Sequence, residues 1–582
     1  MGTVVGTLLV FVTWAVCALT LIALGLLPAR LGSARGAVAW RAALWWGLLI
    51  VTLFVYAANL VQPLRSSTTA WAFAGLVIVL GALGLVRMPR PRFGAGVGRR
   101  HFWILWTACG MTVAYLALAA LGPVTNYDSG LYHLGAIQYA GDYSTIPGLA
   151  NLFAPLGYAN AEFPLAALLG NGPWNGQGFR LLNGLLVLLV ILDLAIRGRS
   201  RRLTPGFFVL AVGLVAALVP MIALADYWVT SPTQDSAVLM LTIIACAYLA
   251  DAMAKRRAWL ADAATVAALC LLLILFRQTM VVFAFACLAV IAVKAWRARR
   301  ALTSKTWTPR VALLVVVATA LAGGLSAARD YVLSGWLEFP LSFFHFSPSW
   351  LVADPSILSA ATLGYHRDRD HLWEATHGWD WVGPWVSRLP SQWETFEFAL
   401  LMISAAIAIL FAMRHPLVRL RWRTLALVLV PSALAVVVWW VALPPSFRFI
   451  WGPLFMLPAT VIGWVLWCLY EQERPTMGPS WLTRTVLAVS IPVVLVSLFS
   501  LAFRSDFGAP REQANWSLGL SIPYSLVAVR DAAVAQLRLG PDLVIEQPTE
   551  SDQCWSRFPL CTPSPADGLQ LRGRTLREGF LP

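Results

Sequence analysis

Fourteen apolar runs, each near the roughly 17 to 25 residues that cross about 30 Å of hydrocarbon, recur along this chain and decide what it can fold into. They lie at about 3–28, 42–61, 71–86, 102–122, 181–196, 205–225, 236–252, 258–275, 279–295, 311–328, 395–413, 424–443, 449–470 and 485–503. In hydrocarbon every peptide group needs a partner within the protein, so runs of this length form helices. With 59% hydrophobic and only 12% charged residues, the chain lies far from the composition of a soluble globular domain. The sequence therefore predicts an all-α, polytopic helical membrane protein. It divides into an N-terminal three-helix segment (1–101), a membrane core (102–503) with long loops at 123–178 and 329–394, and a tail (504–582).

The formal charge of +15 invites a nucleic-acid reading, but its distribution points elsewhere. Arginines follow the first, third and fifth spans, and basic clusters recur at 255–257, 294–310 and 414–423. Sorted by alternate loops, 27 Lys and Arg face 5 acids on one side, against 16 and 23 on the other. The positive-inside rule makes the first side cytoplasmic. Both termini, the two long loops and the tail then lie outside, in a bacterial cytoplasmic membrane. The first run is too long for the apolar core of a signal peptide and lacks a basic leader, so it reads as a span. A nucleic-acid partner would want the basic surplus on a soluble domain.

The loop at 123–178 opens with Asn126, Tyr127, Asp128, Ser129, Gly130, Leu131, Tyr132 and His133 directly after an apolar run. A carboxylate where a span meets water can act as a general base, or hold a divalent cation such as Mg or Mn. Asp128 is the first candidate; the competing reading is that Asp128 or Ser129 caps a helix starting at Gly130. His133 is a candidate acid, base or ligand, or simply a packed histidine. Glu162 and Asp235 are further carboxylates expected on the same face, each equally readable as a loop acid or helix cap. Arg277, Arg329 and Arg448 sit at outer span ends, opposite to where topology places spare arginines. Their planar forks suit phosphate oxygens, and snorkelling to the interface is the plainer alternative.

Around these residues, 131–143 reads as a short interfacial helix. The loop at 329–394 is rich in Trp and Phe, which favour the headgroup level. The tail reads as an amphipathic helix over about 523–539 followed by a short strand at 543–545. Six cysteines fall in apolar spans, and only Cys554 and Cys561, in the tail, look able to form a disulfide. No Walker loop, HExxH or CxxC is present. The span interiors are expected to hold almost no ionisable residue, apart from Asp193 near a basic end, which disfavours ion-coupled transport.

The arrangement resembles the GT-C superfamily of membrane glycosyltransferases, which includes protein mannosyltransferases and the aminoarabinose transferases of lipid A. Asp128 with Tyr132 and His133 matches the acidic position in that family's first large outer loop, and Ser231 to Asp235 resembles its second outer acidic element. Arg277, Gln278 and Thr279 resemble a basic-polar-Thr element. Arg329 with Ser334, Gly335 and Pro340 resembles the segment after a middle span, and Arg448, Phe449 and Pro453 a late Arg-aromatic-Pro feature. Ser129 stands where some members carry a second acid. Asp128 to His133 together with Gln553, Cys554, Trp555, Pro559, Cys561, Thr562 and Pro563 is also similar to a group of bacterial multispanning proteins with this tail. The resemblance implies an inverting transferase that moves a sugar from a polyprenyl-phosphate donor to an envelope glycan, lipid or protein acceptor. A lipid-linked polysaccharide polymerase or ligase, and a lipid or glycan flippase, are the alternatives.

Overall fold

The computed structural model describes residues 1–85, 99–200, 202–256, 258–298, 309–414, 420–473, 491, 495–500, 502–503, 509–517, 521–539 and 543–582. In chain order the helices are α1 (Gly2–Leu31), α2 (Ala37–Val61), α3 (Ser67–Leu85), α4 (Arg99–Ala119), α5 (Leu134–Asp142), α6 (Leu149–Leu152), α7 (Glu162–Leu169), α8 (Leu182–Gly198) and α9 (Pro205–Ala223). They continue with α10 (Gln234–Ala254), α11 (Leu260–Phe276), α12 (Val281–Ala298), α13 (Pro309–Ser334), α14 (Pro355–Arg367), α15 (Val382–Arg388), α16 (Trp393–Arg414), α17 (Trp422–Ala442) and α18 (Phe447–Glu473). Among the described residues eleven helices are long and apolar enough to span a bilayer, and two shorter apolar helices, Trp106–Ala119 and Leu260–Phe276, stand beside them. The protein is a polytopic helical membrane protein. Most of the run expected at 485–503 lies outside the described residues.

Burial sorts these helices. α10 is buried from Asp235 through Ala252 and packs on α9, α11, α17 and α18, as expected for a helix apolar all round. α13 and α16 instead expose Leu313, Val316, Val317 and Leu321, and Leu400, Ile403, Ile407 and Leu410. Apolar faces of this extent suit lipid and not water. α1 and α2 approach backbone to backbone: a Cβ at Gly25 would lie 1.9 Å from the Ala43 carbonyl oxygen, and one at Gly47 2.0 Å from that of Leu21. Small residues at such crossings are what let membrane helices pack closely.

Among the described residues buried charge gathers near the helix ends, and there it amounts to more than the Asp193 that the sequence singled out. At the arginine-rich end Asp193, Asp251 and Asp262 are fully buried in α8, α10 and α11 with Arg41 and Arg197. Arg197 donates Nε to Asp193 and Nη1 to Asp251. The Trp45 indole and the Tyr248 hydroxyl donate to Asp193 at 2.9 and 2.8 Å, and the Gly206 N–H donates to Asp251 at 2.8 Å. Arg41 lies 3.8–3.9 Å from all three carboxylates, and Lys255 pairs with Asp262. Three acids face three bases, and the network ties α2, α8, α9, α10 and α11 together.

The tail corrects a second expectation. No helix covers 523–539. Three antiparallel pairs form instead: β1 (Glu512–Ser517) with β2 (Ser521–Leu526), β3 (Val534–Leu539) with β4 (Leu543–Pro548), and β5 (Gln570–Leu571) with β6 (Phe580–Leu581). Leu537 and Leu539 alternate with Gln536 and Arg538, a period of two that fits a half-covered strand. Cys554 and Cys561 are joined in a disulfide, Cα–Cα 5.6 Å. The strand expected at 543–545 is the start of β4.

Removing one member of the buried network strands its partners, which typically costs ~3–5 kcal/mol. Asp251→Ala is expected to lower the unfolding temperature in detergent sharply. Arg202→Ala, which breaks an exposed pair with Glu471, should leave it within about a degree, since such pairs contribute ~0–1 kcal/mol.

Candidate functional site

The site begins where α4 gives way to the first loop. The Ser231 hydroxyl oxygen accepts from the backbone N–H groups of Thr125 and Asn126, both at 3.1 Å, so the loop's entry is pinned to the segment before α10. The Asn126 side-chain carbonyl then accepts from the Ser129 N–H at 3.3 Å. Asn126, not Asp128 or Ser129, therefore caps the next turn. That turn, Ser129–His133, is one residue wider than an α-turn: the Leu134 N–H reaches back to the Ser129 carbonyl. Widened turns of this kind are often found at functional sites. The Asp128 carboxylate, unused in capping, accepts from Arg448 Nη1 at 2.7 Å.

A second pair lies deeper. Arg277 adopts an extended conformation in the break between α11 and α12 and donates Nη2 to Asp235 near the start of α10. Its Nη1 donates to the Arg448 backbone carbonyl at 3.2 Å, which links the two pairs. Both guanidinium groups sit over the Phe449 ring, at 5.3 Å for Arg277 and 5.1 Å for Arg448, close enough for a cation–π contribution. The pairs differ in access: the Asp235 and Arg277 side chains are 5% and 7% exposed, those of Asp128 and Arg448 18% and 26%.

His133 and Glu162 complete the cluster in neutral form. The His133 ring is buried 5.0 Å from that of Phe163, and its Nδ1 lies 3.4 Å from the Ser129 hydroxyl. Burial pushes the imidazole down to about 3, against the opposing pull of Asp235 and with the repulsion of Arg448 and Arg277. Glu162, fully buried at the start of α7, is pushed up to about 8 by burial and by the Asp235 carboxylate, while Arg277 and Asn183 act the other way. Its Oε1 accepts from Asn183 Nδ2 at 3.5 Å, and the Asn183 amide also donates to the Ser231 and Thr233 carbonyls.

Two further elements flank the cluster. On one side the tail grips the Asp128 turn: the Tyr127 hydroxyl donates to Asp552, Gln553 Nε2 to the Tyr127 carbonyl at 2.8 Å, and the Cys554 N–H to the Gly130 carbonyl at 2.8 Å. Trp555 covers Gly130 so closely that a Cβ there would lie 2.4 Å from its ring. On the other side α14 sets the His366 ring against Phe449 at 5.0 Å, and burial pushes this imidazole down to about 3 as well.

The structure thus brings Asp128, His133, Glu162, Asp235, Arg277 and Arg448 together. Arg329 is held apart from their ion pairs: buried at the end of α13, it donates to the Asn59 side-chain oxygen at 2.7 Å and to the Thr145 hydroxyl at 3.0 Å. It fastens α2 to the first loop. No group of three His, Cys, Asp or Glu is placed to hold a metal ion among the described residues, and Asp128 faces a guanidinium with Ser129 beside it. The donor set does not fit a divalent cation. Asn126, Asn183, Ser231, His366 and Phe449 are site residues whose roles the sequence did not announce. Asn126, Ser231 and Phe449 fall in the quoted motifs, whereas Asn183 and His366 do not.

Fold and site together define a multi-pass helical membrane protein with a paired carboxylate–arginine cluster at its loop-bearing end. The chain belongs to the family described as Domain of unknown function (DUF8201), which matches residues 8–455. All six clustered residues fall inside that match, and the described strands and the disulfide lie beyond it. No curated protein and no solved structure matches the chain.

The pH dependence has a definite sign. A buried acid whose pKa rises on folding contributes most below its unfolded value, and that contribution is lost as pH climbs to the folded value. Glu162 should therefore make stability fall between about pH 4.5 and pH 8. Glu162→Gln should flatten this part of the curve, as read from unfolding temperature against pH.

Proposed function

We propose that this protein is a membrane glycosyltransferase that moves a sugar from a polyprenyl-phosphate donor to an acceptor hydroxyl on the extracytoplasmic face of a bacterial cytoplasmic membrane. The observation that carries this reading is the Asp128–Arg448 pair, a carboxylate bonded to a guanidinium at 2.7 Å and left partly open where membrane helices meet long loops. The alternation of basic and acidic loops supports the placement of that end outside the cytoplasm.

In this mechanism the donor phosphate competes with Asp128 for Arg448, whose fork suits either oxyanion. The Asp128 carboxylate, released from the guanidinium, is then open to the acceptor hydroxyl. Asp128 then takes the proton of the acceptor hydroxyl as its oxygen attacks the anomeric carbon. The bond from that carbon to the phosphate oxygen breaks, and polyprenyl phosphate leaves with the bonding electrons. Arg448 stabilises the charge that develops on it. Inversion at the anomeric carbon follows from the GT-C resemblance. Neutral His133 and protonated Glu162 shape the floor, and Asp235 fixes Arg277 without touching the reacting atoms. Apolar walls between spans accommodate the polyprenyl tail.

Asp128→Asn is expected to cut transfer by ~10²-fold or more while retaining polyprenyl phosphate binding, and Arg448→Ala to weaken both. The readout is the envelope glycan profile of cells lacking the gene and carrying each variant, with lipid-induced thermal stabilisation of the purified proteins. A flippase or assembly protein would keep the full profile with Asp128→Asn, and that result would overturn the proposal.

A further inference from the structure

We propose that residues 341–346 form an apolar finger that enters the headgroup and acyl boundary of the bilayer that the spans cross, so that its occupant is membrane lipid. The inference does not rest on the transferase reading. Leu341, Phe343, Phe344 and Phe346 are 43%, 72%, 72% and 59% exposed, in an unbroken run of exposed positions from 341 to 347. Large apolar side chains seldom gather in the open without a partner. The stretch between Glu338 and Asp354 contains no Asp, Glu, Lys or Arg, the composition expected for a segment that enters lipid and not for one solvated by water.

The finger is built, not loose. The Leu337 N–H donates to the Phe344 carbonyl at 2.9 Å, and Trp336 bridges His345 in antiparallel fashion. Phe339, fully buried, plugs the base against the Tyr158 ring at 5.9 Å. The Trp350 indole donates to the Tyr331 carbonyl at 3.2 Å. These contacts fix the apolar tip in the open rather than letting it fold back.

Its level relative to the membrane follows from α13. The Phe346 ring packs edge-on to that of Tyr331 at 5.5 Å, and Tyr331 lies in the last turn of α13, which ends at Ser334. The same helix exposes Leu313, Val316, Val317 and Leu321 lower down. The finger therefore continues a lipid-facing surface at the depth where aromatic side chains favour the interface.

A nitroxide attached at Phe344→Cys tests this, in nanodiscs of phosphatidylethanolamine and phosphatidylglycerol, with signal from the unsubstituted chain subtracted. Phe344 is exposed, so the exchange should leave the fold intact. Collision with oxygen is expected to exceed collision with a water-soluble nickel chelate several-fold, as at a lipid-facing Leu321→Cys control and in contrast to an Asp567→Cys control on the tail. Chelate access equal to that at Asp567→Cys would overturn the proposal. Shielding from both reagents would overturn it too, by placing protein, such as a second copy, over the finger.

Discussion

The loop-bearing end of this protein depends on carboxylates and guanidinium groups meeting where helices break. A charge at the edge of hydrocarbon is tolerable only when a partner and good hydrogen bonds compensate its lost water. Arg277 comes from an extended break and Arg448 from the second residue of α18, so neither is tied up in its own helix. Their acids come from elsewhere in the chain, Asp235 near the start of α10 and Asp128 ahead of the widened turn. Two pairings thereby fasten the first loop, α10, the α11–α12 break and α18 to one another. The bond from Arg277 to the Arg448 carbonyl makes them a single unit.

Unequal access divides the labour within that unit. The Asp235–Arg277 pair is sealed, so its bonds face little competition from water and it acts as a lock. The Asp128–Arg448 pair is the more open of the two, and in the proposed mechanism it is the one at which the donor phosphate replaces a partner. His133 and Glu162, neutral through burial, add no further charge to the floor. The tail, outside the family match, reaches across to hold the turn bearing Asp128. Its grip on Gly130 through Trp555 leaves little room for that turn to drift.

Much of this was legible in the sequence because length and charge asymmetry report directly on membrane crossing. The runs from 3–28 to 449–470 each correspond to an apolar helix, and the close pair around Arg277 is a real break. The candidate acids and two of the three span-end arginines converge. Arg329 does not, because a span-end arginine looks the same in sequence whether it meets a ligand or, as here, Asn59 and Thr145. The network at the arginine-rich end was hidden for a different reason: Asp193, Asp251 and Asp262 each sit near basic residues that resemble ordinary topological charge, and their convergence is a property of packing. The tail misled because the stretch 523–539 carries apolar residues at spacings that suit a helix, whereas the pairing of β3 with β4 selects the two-residue period.

The most direct measurement is a double-mutant cycle on thermal unfolding for Asp235 and Arg277, with Asp128 and Arg448 as the comparison. If the deeper pair is the lock, Asp235→Ala and Arg277→Ala should each cost about 3 kcal/mol or more, and the double variant should cost far less than their sum. The more open pair should show a coupling of about 1 kcal/mol or less. Additive losses at Asp235 and Arg277 would contradict the claim that their pairing holds the site together.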